Sequence, residues 1–188
     1  MKIRIHQIAL VLLMLNFSRV QAQAPEGYVA GSIKTANGNI QNGFIKESIR
    51  KKGNITFYEN AGSKKKVYDA TELESCRIDT VQYKCISGDF FRIICTGKMD
   101  FLQKASNASG KLSYNGTEPI ISSGTPGKAG DYFIYSEQQL VQVEKNSIPG
   151  IMNQQLSNCA AAVEKAKSIG NDIAAFSSVV TIYNEYTK

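Results

Sequence analysis

The hydrophobic pattern is clearest in the middle of the chain. Val81, Tyr83 and Cys85 alternate with Thr80, Gln82 and Lys84, the period of two expected for a half-buried strand. The alternation slips between Ile78 and Val81, which places a bulge or bend near Asp79. Ser87, Gly88 and Asp89 form a turn signal. Phe90, Phe91, Ile93, Ile94 and Cys95 then run together, interrupted by Arg92 alone. A strand apolar on both faces is usually covered on both, so this one belongs in the sheet interior. Past Gly97, Met99 and Phe101 alternate with Lys98 and Asp100. Residues 76–104 therefore read as the central strands of an antiparallel sheet.

The flanking segments fit the same plan. Asn37-Gly38 between two extended pieces marks an outer hairpin. Ile55 with Phe57, and Val67 with Tyr68, suggest a second hairpin, and residues 69–74 a short polar link. Residues 105–130 hold many Gly, Ser and Asn and read as a long flexible loop with a short strand near Tyr114. Residues 132–135 and 140–143 form a last strand pair around Glu137-Gln138. The period then changes. Met152, Leu156, Cys159, Val163 and Ala166 share one helical face, and Ile173, Phe176, Val180 and Tyr183 share another. Pro149 suits the first turn, Gly170 the end of the first helix, and Asn171 or Asp172 the start of the second. The expectation is an α+β fold: an antiparallel sheet or partly open barrel of about eight strands built from hairpins, packed with two C-terminal helices. Residues 27–145 are its β-rich part and residues 148–186 its helical hairpin.

The N-terminus stands apart. Lys2 and Arg4 precede an apolar run over residues 8–15, and Val20-Gln21-Ala22 offers a cleavage site. This is the pattern of a secretory signal peptide, cut after Ala22. Residues 1–22 are thus a signal peptide and residues 23–188 a single exported domain, periplasmic or extracellular. No cysteine near the cut points to a lipid anchor, and no later apolar run reaches membrane-spanning length.

Cleavage changes the charge and the chemistry. The chain carries 22 Lys+Arg against 16 Asp+Glu, and Lys2, Arg4 and Arg19 leave with the signal, so the remainder has 19 against 16, a net charge of +3 in place of +6. That weakens the case for a nucleic-acid partner. His6, the only histidine, leaves too, and the chain has no Trp. Ser-His-Asp and Cys-His catalysis and His-ligated zinc or iron are therefore not expected. No Gly-rich phosphate loop occurs either, so no cofactor is expected. Arg50-Lys51-Lys52 and Lys64-Lys65-Lys66 lie at opposite ends of the second hairpin, about 17–20 Å apart at strand rise, and read as solvated charge.

Cys76, Cys85, Cys95 and Cys159 would meet an oxidising compartment on export. A turn centred on Ser87-Gly88 puts Cys85 opposite Phe90, and one centred on Gly88-Asp89 puts Cys85 opposite Arg92 and Cys95 opposite Gln82, so neither pairs Cys85 with Cys95. On a single strand Cys76 and Cys85 would stand about 30 Å apart. Two readings stay open: a disulfide joining Cys159 to one of Cys76, Cys85 or Cys95, or four buried free thiols acting as small hydrophobes.

Several short motifs resemble a group of uncharacterised exported proteins common in Bacteroidota. They are Gly27-Tyr28, Asn37-Gly38-Asn39-Ile40 with Gly43, residues 97–102, Asn158-Cys159 and Tyr183-Asn184. The family's usual Asp after the hairpin glycine is Asn39 in this chain. The resemblance implies export and a β-rich fold with a helical end, and it brings no activity.

Three functions compete. The first is a non-enzymatic exported domain binding an envelope component or protein partner. The second is a carrier of small apolar ligands or lipid, with Phe90, Phe91, Ile93, Phe101 and Phe133 lining a cavity. The third is a carboxylate-based glycan hydrolase drawing on Asp79, Asp89, Asp100, Asp131 and Glu137.

Overall fold

The structure is a computed structural model describing residues 24–60, 62–107, 112–115, 118–121, 124–170 and 172–187. The signal peptide and the Ala22 cleavage site lie outside the described residues.

The fold is α+β, with one open antiparallel sheet and helices at its C-terminal end. The strands are β1 (Val29–Thr35), β2 (Ile40–Ser48), β3 (Asn54–Tyr58), β4 (Lys66–Asp69), β5 (Leu73–Ile78), β6 (Val81–Ile86), β7 (Asp89–Cys95), β8 (Asp100–Lys104), β9 (Leu112–Asn115), β10 (Glu118–Ile121), β11 (Tyr132–Ser136) and β12 (Gln139–Val143). A short helix, α1 (Ile49–Lys52), follows β2, and α2 (Ile148–Gln154), α3 (Ala160–Ser168) and α4 (Phe176–Tyr186) close the chain. The main sheet has ten strands, ordered β12-β11-β8-β7-β6-β5-β1-β2-β3-β4, while β9 and β10 form a separate ribbon within the long loop. The sheet has ten strands rather than about eight, and residues 73–86, read as one strand, supply two of them.

The extra strand corrects the cysteine geometry. Residues 76–85 are not one strand with a bulge. Asp79 takes a left-handed conformation, φ 53°, and the chain reverses so that Ile78 pairs with Val81 and Cys76 with Tyr83. Asp tolerates this conformation because its short polar side chain can bond locally. Of the two turn positions the sequence allows, Ser87-Gly88 is the one adopted, with Cys85 opposite Phe90.

The short link from β4 to β5 forces the sheet to curl. Four Cα steps join Asp69 to Leu73, a reach of at most about 15 Å. In a flat sheet β4 and β5 would be four strand spacings apart, about 19 Å. Gly31 and Gly43 stand opposite each other on the inner side of this curl. A Cβ on Gly31 would lie 2.3 Å from the Arg77 carbonyl oxygen, and one on Gly43 2.4 Å from that of Tyr58. The curl encloses a first core containing Ile33, Ile45, Ile55, Phe57, Tyr68 and Cys76.

A second core lies farther along the same face, where α2, α3 and α4 cover β8, β11 and β12. Phe101, Ile134, Leu156, Phe176 and Val180 meet there. The first of the two expected helices is broken. Gln155 ends α2, and Cys159, at φ −127° and ψ 92°, is extended before α3 starts. Ser157 and Asn158 in the break are residues that favour caps and turns over helix interiors. The apolar spacing survives the break, and Leu156, Cys159 and Ala166 are all buried. The second helix follows its expected face, with Phe176, Val180 and Tyr183 buried.

A third core, on the opposite face of the sheet, consists of Phe91, Leu102 and Phe133. Segment 124–131 is held to that face by a buried ion pair. Lys104 Nζ lies 3.1 Å from Asp89 Oδ2 and donates to the carbonyl oxygens of Thr125, Pro126 and Gly127. Asp89 in turn accepts from Ser106 Oγ and from the amide and hydroxyl of Thr125.

Candidate functional site

The two inner cores do not merge. One row of paired positions runs straight across the inner face: Ile33, Cys76, Tyr83, Arg92, Gln103, Tyr132 and Val143. Neighbours in such a row are about 5 Å apart. The row is apolar at both ends and polar in the middle. Arg92 is exposed, and Tyr83 and Gln103 are half-buried. The Arg92 that interrupts an otherwise apolar run thus sits where the first core stops and the second has not begun.

A cleft of about 380 Å³ opens over this polar stretch. Tyr83, Arg92 and Gln103 form its floor, α1 contributes Arg50, the end of β2 contributes Glu47, and Gly130 stands on the far side. Glu47 Oε1 accepts the amide of Ile49 at 2.5 Å and that of Arg50 at 3.4 Å, fixing the first turn of α1. Gln103 Nε2 donates to the Gly130 carbonyl at 3.2 Å. Among the described residues neither Arg50 nor Arg92 has a carboxylate within 4.0 Å. Tyr83 is held above its ordinary pKa, chiefly by burial and then by the charges of Glu47 and Cys76, with Arg92 acting in the opposite sense. Its phenol is therefore a neutral donor at physiological pH.

A second cleft, of about 410 Å³, lies at the tip of the β11–β12 hairpin beside the break between α2 and α3. Lys98, Glu137, Gln139, Gln155 and Asn158 line it. Glu137 and Gln138 both have positive φ, 50° and 64°. A two-residue hairpin turn of this hand is normally Asn-Gly, so this one is strained.

The residues expected from the sequence are dispersed. Phe90 belongs to the first core, Phe101 to the second, and Phe91, Phe133 and Ile93 to the third. The four phenylalanines are fully buried in side-chain packing, so they do not line a shared apolar cavity. The carboxylates are dispersed too. Asp89 pairs with Lys104 and Asp100 with Lys84. Asp131 accepts from the Lys128 amide and from Gln142 Nε2, and Asp79 and Glu137 occupy turns.

All four cysteines are free thiols, so the staple from Cys159 to a sheet cysteine is not formed. Cys76 and Cys85 belong with the first core, Cys95 and Cys159 with the second. Cys95 points its sulfur at the Ser177 carbonyl, 3.8 Å away. Burial pushes the Cys76 thiol up to about 12 and raises those of Cys85 and Cys95 as well. Since the thiolate is the nucleophile, these three are poorly reactive at neutral pH.

Among the described residues, no group of three or more His, Cys, Asp or Glu side chains is placed to hold a metal ion, and no helix is long and apolar enough to cross a membrane. No protein-family model, curated protein or solved structure matches the chain.

Proposed function

We propose that the chain is an exported, non-enzymatic domain that binds an envelope component or a protein partner, and that the cleft between the two inner cores is where it binds. The observation that carries the reading is the polar interruption of the inner face. Burying Arg92 without a counter-charge would be costly, and the guanidinium stands instead at an opening, its donors available to a ligand. The chemistry around it favours recognition over catalysis. Three thiols are held protonated by burial, and the buried carboxylates Asp89 and Asp100 are held by lysines. The signal-peptide pattern and the resemblance to exported Bacteroidota proteins support the location.

The test begins with the full chain expressed in a Bacteroidota host, followed by cell fractionation and N-terminal mass mapping. Cleavage after Ala22 and recovery outside the cytoplasm are expected; an uncut cytoplasmic chain would defeat the export half of the reading. The exported protein and its Arg50→Gln/Arg92→Gln variant are then used as baits on envelope extract. A component held by the first and lost by the second is expected, and identical captures would reject the cleft.

A further inference from the structure

We propose that the cleft takes a small molecule through an oxyanion, a phosphate or carboxylate group held between the guanidinium groups of Arg50 and Arg92. This inference rests on the cleft being the binding site and names the ligand class it takes.

Charge is the first argument. Among the described residues, Arg50 and Arg92 lie on one cleft with a single carboxylate, Glu47, and the oxygen Oε1 of that carboxylate faces the backbone amides of Ile49 and Arg50. Lys104 also borders the cleft, but its side chain alternates to the other face of the sheet, where Asp89 balances it. The opening therefore carries a net positive charge. The lysine run of residues 64–66 is engaged differently: Lys65 and Lys66 lie over the rings of Tyr28 and Tyr68, at 5.4 and 4.2 Å.

Donor geometry is the second argument. Arg92 rises from the sheet floor and Arg50 comes from α1, so the two planar forks reach the space from different elements. A guanidinium recognises carboxylate and phosphate oxygens through paired N–H donors. Tyr83, directly opposite Arg92 in the register, adds a hydroxyl donor beside the same space. Size is the third. About 380 Å³ falls at the small end of known ligand sites, about 300–1,000 Å³, which suits a small envelope component or its anionic headgroup.

The experiment is a titration of the exported protein with inorganic phosphate and, separately, with acetate, following the arginine side-chain Nε–Hε resonances by NMR. Arg92 and Arg50 are expected to shift saturably, with Arg77, which lies outside the cleft, as the internal control. Arg92→Gln and Arg50→Gln should each weaken binding about tenfold or more, the scale of a lost charged hydrogen bond. Arg92→Lys, which keeps the charge and loses the fork, should fall between, and added salt should weaken all of them. Phosphate and acetate are read as separate arms, so a response to one alone assigns the oxyanion. The proposal is overturned if Arg92 moves no more than Arg77 with either anion. In that event envelope extract is added: a shift of Arg92 then rejects the oxyanion while keeping the cleft, and no shift rejects both.

Discussion

Asn184 reaches back to Met99 and pairs with it as a neighbouring strand would. Its Oδ1 accepts the Met99 amide at 2.9 Å, and its Nδ2 donates to the Met99 carbonyl at 2.8 Å. Both residues are buried. The contact ties α4 to the start of β8 and gives the Tyr183-Asn184 pair a physical role. Gly97 leaves room for it, since a Cβ there would lie 2.4 Å from Asn184 Cγ. Asn184→Ala strands a buried donor and a buried acceptor, at about 1–3 kcal/mol each. Urea denaturation should show a loss of roughly 2–6 kcal/mol, and a change within error of zero would contradict the assignment.

The Asp89–Lys104 pair makes a separate prediction. Removing one partner leaves an uncompensated buried charge, with a cost of about 3–5 kcal/mol. Lys104→Met also frees the carbonyls of Thr125, Pro126 and Gly127, so hydrogen exchange should accelerate over residues 124–131 before it does so in the central strands. The Asp89→Asn/Lys104→Met double variant should be less destabilised than the sum of the single changes. Strict additivity in a thermal-melt cycle would argue against coupling.

Glycine substitutions test the curl of the sheet. Gly31→Ala pushes a methyl group into the Arg77 carbonyl, and the melt should show a loss of about 1–3 kcal/mol or more. Gly150 lies in α2, and a methyl group added there would have nothing within 4 Å, so Gly150→Ala should be neutral or gain about 0.4–1 kcal/mol. Equal effects at the two positions would contradict the close strand approach at Gly31.

The buried thiols set an alkaline limit. Cys76 is raised from 9.0 to about 12 in the folded protein. An unfolded chain releases this proton near pH 9 while the folded chain keeps it, so the unfolded state binds fewer protons and stability falls as pH rises. The contribution is intact below pH 9 and is lost progressively toward pH 12, at up to about 1.4 kcal/mol per pH unit for one thiol. Cys85 acts in the same direction. Chemical denaturation between pH 8 and 11 should show this decline, and Cys76→Ala should flatten it while lowering stability at neutral pH. An unchanged slope in the variant would contradict the burial of Cys76.

Much of the fold is legible in local pattern. The hairpin turn at Asn37-Gly38, a turn within Ser87-Gly88-Asp89 and the last strand pair around Glu137-Gln138 are all found where the residues place them. The turn at Asp79-Thr80 is harder to read because it contains no glycine, and a one-residue slip in alternation looks the same as a bulge. The helix break at residues 155–159 is hidden because the apolar spacing continues through it. The site is less visible still. Arg92 stands out as the single charge in an apolar run, but its neighbours Tyr83 and Gln103 are brought beside it by strand register, and Arg50 by the curl of the N-terminal strands. Those are long-range relationships that no local window contains. The expected phenylalanine cavity dissolves for the same reason: Phe90 and Phe91 are adjacent in sequence but point to opposite faces.

The most direct measurement is a native mass spectrum of the protein recovered gently from the envelope or medium of its host, beside the Arg50→Gln/Arg92→Gln variant. The account predicts a chain beginning at Gln23 that carries an additional noncovalent mass, and a variant of the same fold that carries none. A bare chain in both spectra, or an added mass retained by the variant, would contradict binding through the cleft.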